Sequence, residues 1–210
     1  MADKGRGILT VVSGFAGSGK GTVMKKLVEG HDEYALSVSA TSRSPRPGEQ
    51  EGISYFFKSR EEFEKMIADD ELLEYAEYVG NYYGTPKDFV FSRMDEGKDV
   101  ILEIELQGAM QIKEKYPDTL LIFLSPPDAG ELFRRLKGRG TETDEVIEKR
   151  MKRAAEEAQS IKNYDYLIIN DNIDECVRRV HEAIQTAHHT VRHEAELIAR
   201  LEEGLKAGIR

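Results

Sequence analysis

Four short apolar runs punctuate an otherwise polar chain: Ile8–Val12, Val100–Ile104, Thr119–Leu124 and Tyr166–Ile169. Each is continuous rather than alternating, which is the pattern of a strand buried on both faces. Charged stretches with helical character lie among and after them, at Lys113–Tyr116, Ala129–Lys137 and Asp144–Ser160. Buried strands separated by helices predict an α/β fold, a parallel β-sheet core flanked by helices on both faces. Two segments break the rhythm. Residues 36–92 are rich in Ser, Tyr, Arg, Gly and acidic residues and predict a small mixed lobe. Residues 134–152 are dense in Arg, Lys and Gly and predict a mobile helical lid. The chain then reads as a single domain over 1–210. Its core comprises 1–35, 93–133 and 153–185, and a C-terminal helical extension covers 186–210.

In and around that extension, Val177, Val180, Ile184, Ala187, Val191, Ile198, Leu201 and Leu205 form a heptad-like seam, interrupted at Glu194. It predicts one long helix folded back on the core, with a coiled-coil contact to a second copy as the alternative. The expected state is a monomer or a homodimer through the C-terminal helix.

Composition narrows the class. The 210 residues are 40% hydrophobic and 33% charged, an ordinary globular balance. The formal net charge of -9 argues against broad binding to nucleic acid or to an anionic membrane. It leaves room for a nucleotide held by a few local arginines. No apolar run approaches the ~20 residues of a membrane span, and the start MADKGRGILTVV lacks the features of a signal peptide. A single cysteine, Cys176, fits a reducing, cytoplasmic setting and reads as a small buried residue rather than a nucleophile. His189 and His193 stand four apart, but no glutamate follows His189, so they read as solvated rather than as a zinc pair.

The chemistry begins directly after the first strand. GFAGSGKGT, Gly14 to Thr22, fits the G-x-x-x-x-G-K spacing of a phosphate-binding loop. Gly14, Gly17 and Gly19 let the backbone curl, so that the N–H groups of Phe15, Ala16, Ser18 and their neighbours can point at phosphate oxygens. The helix that follows adds the positive end of its dipole, and Lys20 adds a point charge for the β and γ phosphates. The hydroxyl expected directly after the lysine is absent, because Gly21 stands there; Thr22, one residue later, is the candidate Mg²⁺ ligand.

Further on, Arg43 and Arg46 flank Pro45 in SVSATSRSPRPGEQEGISYFF. Two guanidinium groups held by a stiffened backbone suit a dianionic monophosphate, and Tyr55 and Tyr83 have hydroxyls to add. Glu74 offers a carboxylate for two parallel N–H donors, which guanine presents on one edge and adenine does not. Ser39 and Thr85 can satisfy the remaining polar atoms of such a base. Taken singly, each of these residues has an ordinary structural reading as a solvated arginine, a packed tyrosine or an exposed helical glutamate.

Together the motifs resemble guanylate kinases: the phosphate loop, SVSATSRSPRPGE, GNYYGTP, ILEIELQGA, GRGTET and NDN, in that order over about residues 7 to 185. The resemblance implies the P-loop fold with a GMP-binding lobe over 36–92 and a lid over 134–152. It implies transfer of the γ-phosphoryl group of ATP to GMP, with Mg²⁺ accompanying ATP, in purine nucleotide metabolism. Ser39, Arg43, Arg46, Tyr55, Glu74, Tyr83 and Thr85 fall on GMP-binding positions. Glu103 and Glu105 take the acidic places at a strand end, near the guanine or ribose edge or near Mg²⁺. Arg135, Arg139 and Arg150 take the lid-arginine places and join Lys20 and Arg43 as the catalytic set. Asn170 and Asp171 take the adenine-side loop. Nothing in these motifs reads a 2′-hydroxyl, so dGMP is expected to serve as well. Two alternatives remain at this stage. One is another nucleoside monophosphate kinase, encouraged by the Lys-Gly-Thr ending of the loop. The other is a non-catalytic module of the same fold, which the intact Lys20 argues against.

Overall fold

The computed structural model describes residues 5–138 and 143–208. The chain opens with β1 (Leu9–Gly14), α1 (Lys20–Gly30), β2 (Tyr34–Leu36), β3 (Ala40–Thr41), β4 (Phe56–Phe57), α2 (Arg60–Ala68), β5 (Leu72–Tyr78) and β6 (Asn81–Pro86). It continues through α3 (Lys87–Asp95), β7 (Asp99–Glu103), α4 (Leu106–Lys115), β8 (Leu120–Ser125), α5 (Ala129–Gly138), α6 (Asp144–Ala158), β9 (Tyr166–Ile169), α7 (Ile173–Ala187) and α8 (Ala195–Gly208).

The four apolar runs become β1, β7, β8 and β9 of a parallel five-stranded sheet, in the order β2-β7-β1-β8-β9. The pairing is in register from Leu9 opposite Val100 and from Thr10 opposite Leu120. The fifth strand, β2, is a three-residue edge too short to stand out in the hydropathy pattern. Helices α1 and α7 bury Val23, Met24, Leu27, Val180 and Ile184 against one face. Helices α3 and α4 bury Val90, Met94, Ala109 and Ile112 against the other. Both faces of β1, β7 and β8 are thus covered, which is why these strands carry no polar alternation, while the edge strand β9 leaves Tyr166 and Leu167 exposed.

A second, four-stranded sheet, β4-β3-β6-β5, fills most of the stretch between β2 and α3. Its longest pair is a hairpin: β5 and β6 run antiparallel and turn through Val79 and Gly80, both at positive φ (49° and 73°). Two consecutive positive-φ residues are what a tight primed hairpin turn demands. Helix α2 closes this sheet around Phe63 and starts with a capping box. Ser59 accepts from Glu62 N–H, and the Glu62 carboxylate accepts from Ser59 N–H at 2.6 Å.

The C-terminal seam does not form one helix. Helix α7 ends at Ala187, whose carbonyl accepts from Thr190 N–H and Thr190 Oγ1 and lies 3.0 Å from His193 Nδ1. These local bonds satisfy the helix end in a turn and let the chain leave the helical path. Only the first half of the seam is core, with Val180, Ile184 and Ala187 buried. On α8, Leu197, Leu201 and Leu205 are 42%, 56% and 68% exposed, so the expectation that this segment packs on its own core is overturned. His189 and His193 lie in the turn and not on a helical face. Cys176 is buried in α7, where loss of solvent pushes its thiol up to about 11, as expected of an inert packing residue. His188, just past α7, contacts buried Asp99 at 2.9 Å, and Asp99 also accepts from Ile8 N–H. That pair ties the end of α7 to the foot of the central strands.

Candidate active site

The glycine loop sits at the C-terminal end of β1, the middle strand, and runs directly into α1. Gly17 and Gly19 hold φ of 90° and 88°, conformations that side chains rarely adopt. A Cβ on Gly19 would stand 2.5 Å from Asn170 Nδ2, so the loop also needs glycine for space. Phe15 turns inward rather than toward the cleft. It packs edge-on against Phe123 at 5.0 Å, among Leu132, Leu136 and Ile147 from α5 and α6. Lys20 Nζ donates to Gly14 O at 2.6 Å and so leans back over the loop. Ser18 is buried, and its hydroxyl has no hydrogen-bond partner among the described residues.

Two sequence-distant residues close on this loop. Asn170, buried at the end of β9, donates from Nδ2 to Ser18 O at 2.7 Å. Arg135, on α5, donates to Asn170 O at 2.7 Å and to Ser18 O at 3.3 Å, while Glu131 accepts from its Nε at 2.6 Å. The next residue, Asp171, is exposed, and its carboxylate accepts from Asn172 N–H. Arg150 lies half-buried in α6. Arg139 lies outside the described residues.

The corner between β7 and α4 carries two acidic residues, Glu103 and Glu105. Glu103 ends β7, and both its carboxylate oxygens stand 4.0 Å from where a Cβ on Gly21 would be. The residue is exposed, yet the surrounding atoms desolvate the carboxyl and push its pKa up, against the pull of Lys20. Gly21, where a hydroxyl was wanted, therefore leaves a gap beside an acidic side chain, and Thr22 is exposed on the same first turn of α1. A carboxylate beside Gly21 and a hydroxyl on the same first turn of α1 are donors of the kind Mg²⁺ takes, since it keeps several waters and needs few protein ligands. Glu105, the N-cap of α4, turns outward instead and accepts from Arg153 Nη2 at 2.5 Å.

On the far side of α4 lies a buried carboxylate. Glu74, on β5, is only 7% exposed; Thr85 Oγ1, on β6, donates to its Oε1 at 2.7 Å. Burial pushes the Glu74 carboxyl up, and the Thr85 bond and the charge of Lys115 draw it back. A Cβ on Gly108 of α4 would sit 2.9 Å from Glu74 Oε2, so this glycine makes the room the carboxylate occupies.

Beyond it stands Arg43. Its Nη1 and Nη2 donate to the two oxygens of Glu49 at 3.0 and 2.9 Å, and its Nη1 also donates to Ser44 O at 2.7 Å. Glu49 raises the Arg43 pKa most, with the Tyr83 hydroxyl adding to it. The guanidinium lies over the Tyr55 ring at 5.4 Å, and the Tyr55 and Tyr83 rings meet edge-on at 6.1 Å. Arg46 joins the same carboxylate through its backbone, N–H to Glu49 Oε2 at 2.7 Å, while its side chain faces solvent. Ser39 is half-buried beside β3, its carbonyl accepting from Phe56 N–H.

The structure thus gathers the loop, Asn170 and Arg135 into one cluster, and Arg43, Tyr55 and Tyr83 into another. The Glu74–Thr85 pair stands near the second, over α4. Glu49 and Gly108 escaped the sequence reading. The signal for Glu49 was present as the lone acid three residues after Arg46, closing the Pro47-Gly48 turn. Gly108 carried no local signal, since what requires it is a side chain from another element.

Comparison with known proteins bears on this cleft. The guanylate kinase family profile matches residues 6–187. A guanylate kinase of Halalkalibacterium halodurans is 54% identical over 190 residues, 90% of this chain and 93% of the relative. The Bacillus subtilis guanylate kinase is 52% identical over the same length and shares. The crystal structure of guanylate kinase from Anaplasma phagocytophilum superposes with a TM-score of 0.70 at 34% identity, covering 89% of each chain.

Proposed function

The chain belongs to the guanylate kinase family, and from that premise we propose that it moves the γ-phosphoryl group of ATP to GMP, giving ADP and GDP in purine nucleotide metabolism. dGMP serves as well, since no side chain in the acceptor cluster is assigned to a 2′-hydroxyl. The observation that carries the acceptor choice is the buried Glu74 carboxylate, held by Thr85 in space that Gly108 leaves open. It suits the paired N1–H and N2 donors of guanine. Adenine would leave a buried acceptor unsatisfied, at a cost of about 1–3 kcal/mol.

The roles follow the two clusters. The loop from Gly14 to Thr22 cradles the ATP phosphates, and Lys20 exchanges the Gly14 carbonyl for their oxygens. Asn170 and Asp171 line the adenine side. Arg43 and Arg46, with Tyr55 and Tyr83, hold the acceptor phosphate, and Ser39 completes the base site with Thr85. Mg²⁺ would neutralise charge on the ATP phosphates, and Thr22 and the carboxylate of Glu103 are the residues that would hold it. Arg135 and Arg150, with Arg139, close over the transferring group. Residues 36–92 act as the acceptor lobe, and 134–152 as the lid that excludes water. No protein nucleophile takes part: an acceptor phosphate oxygen attacks the γ-phosphorus in line as the bond to the β–γ bridging oxygen breaks.

The deciding experiment is phosphoryl transfer from ATP to a panel of GMP, dGMP, AMP and UMP. GMP is expected to have the highest kcat/KM. Equal or better transfer to AMP or UMP would overturn the acceptor assignment.

A further inference from the structure

Imidazoles do meet in this molecule, but not at the His189–His193 spacing. His31 caps the C-terminal end of α1, Glu33 immediately precedes β2, and His181 lies within α7. The ligating atoms of these three side chains all lie within 4.8 Å of one another. Glu33 Oε1 is 3.5 Å from His31 Nδ1 and 4.0 Å from His181 Nδ1. The two rings stack at 4.1 Å with 17° between their planes. Packing of α7 on α1 brings them together: Val23 and Leu27 of α1 share a core with Val180 and Ile184 of α7, so His181 emerges beside the end of α1.

We propose that His31, Glu33 and His181 form a binding site for one divalent transition-metal ion of the zinc or nickel class. Imidazole suits these ions, and a His₂-carboxylate set leaves a fourth position for water. Zn–N bonds of ~2.0–2.1 Å place ligand atoms about 3.3 Å apart, so the cluster has to contract only modestly. Stacked rings send their lone pairs along parallel lines, so one ring must turn about its Cβ–Cγ bond to join the ion. The side chains are free enough for this, at 32%, 35% and 27% exposed for His31, Glu33 and His181. His181 Nδ1 now lies 2.7 Å from the Tyr34 hydroxyl; Gln185, which donates to that hydroxyl at 3.1 Å, keeps it partnered when His181 turns to metal. A cleft lined by Lys26, Glu29, His31 and Asp174 opens beside the cluster and gives an ion a way in.

The ion would staple α1 and β2 to α7 at the end of α1 opposite Lys20, about 16 Å along the 11-residue helix. It takes no part in phosphoryl transfer. What it ties together are the two helices whose other ends carry the phosphate loop and the Asn170–Asp171 loop.

Calorimetric titration of tag-free, nucleotide-free protein with ZnCl₂ tests the site. The expected result is one equivalent bound with a Kd of about 10 µM or tighter, and a Tm raised by about 5 °C or more in excess zinc. His181→Asn and Glu33→Gln each weaken binding at least about 10-fold. His31→Asn, at the C-terminal end of α1, repeats the test from the other helix. The metal-free variants keep the parent's rate of transfer to GMP. Absence of saturable binding, binding unchanged in His181→Asn and His31→Asn, or binding lost instead in His189→Asn overturns the assignment.

Discussion

At the scale of single residues, Glu74 and Glu49 serve the proposed acceptor site in opposite ways. Glu74 is a charge whose surroundings resist it. Between its ordinary 4.5 and its raised value, the folded protein holds a proton that the unfolded chain has released, so its contribution to folding stability declines as pH rises through that window. Guanine needs the ionised form. GMP affinity should therefore fall as pH drops through the raised value. A pH series of GMP dissociation constants should show this limb in the parent and not in Glu74→Gln, which should also bind about 100-fold more weakly. The same limb in the variant would remove Glu74 from the base contact. Glu49, by contrast, accepts one N–H from each Nη of Arg43 and so fixes the plane of a guanidinium proposed to grip a phosphate. Glu49→Gln should raise the KM for GMP about 10-fold while kcat changes less. Arg43→Lys should not recover, because a point charge has no fork. An unchanged KM in Glu49→Gln would reduce the pair to a surface ion bridge.

Among the elements, α4 shows how a helix can be shaped for another element's side chain. Alanine at 108 would favour the helix by up to about 1 kcal/mol, yet its Cβ would meet the Glu74 carboxylate. Gly108→Ala should keep or raise the Tm while raising the KM for GMP several-fold; a lower Tm with unchanged KM would contradict this. The same geometry explains what the sequence could and could not reveal. The strands were legible because a strand buried on both faces must be apolar throughout, and the phosphate loop because its chemistry is contiguous from Gly14 to Thr22. Glu74 and Thr85 could be offered for a guanine from their chemistry, but singly each had an ordinary reading until the family resemblance joined them, and Arg135 was picked out by that resemblance, since their meaning lies in contacts between β5, β6, α4, α5 and β9. The seam misled because α7 and α8 both have the apolar spacing of a helix, while hydrogen bonds around Ala187, Thr190 and His193 end the first of them. Spacing alone does not see a helix end that side chains have satisfied.

For the molecule as a whole, Arg135 is where α5 meets the glycine loop. It holds Ser18 and Asn170 while its neighbours Leu132 and Leu136 pack around Phe15. Arg135→Ala should lower kcat about 10³-fold with little change in the KM for GMP, in an assay coupled to ADP formation. A lowered Tm with kcat intact would make the residue a brace only. The sheet order has a consequence for biosynthesis as well. The central strand β1 is made first, yet its partners β7 and β8 begin at Asp99 and Leu120. At roughly 5–20 residues per second, a ribosome leaves that apolar strand unpaired on both edges for some 5–18 s. The smaller sheet, complete by Pro86, has all its strands made before then. Birth order thus favours the smaller sheet, and the nascent β1 waits unpaired while that sheet is made.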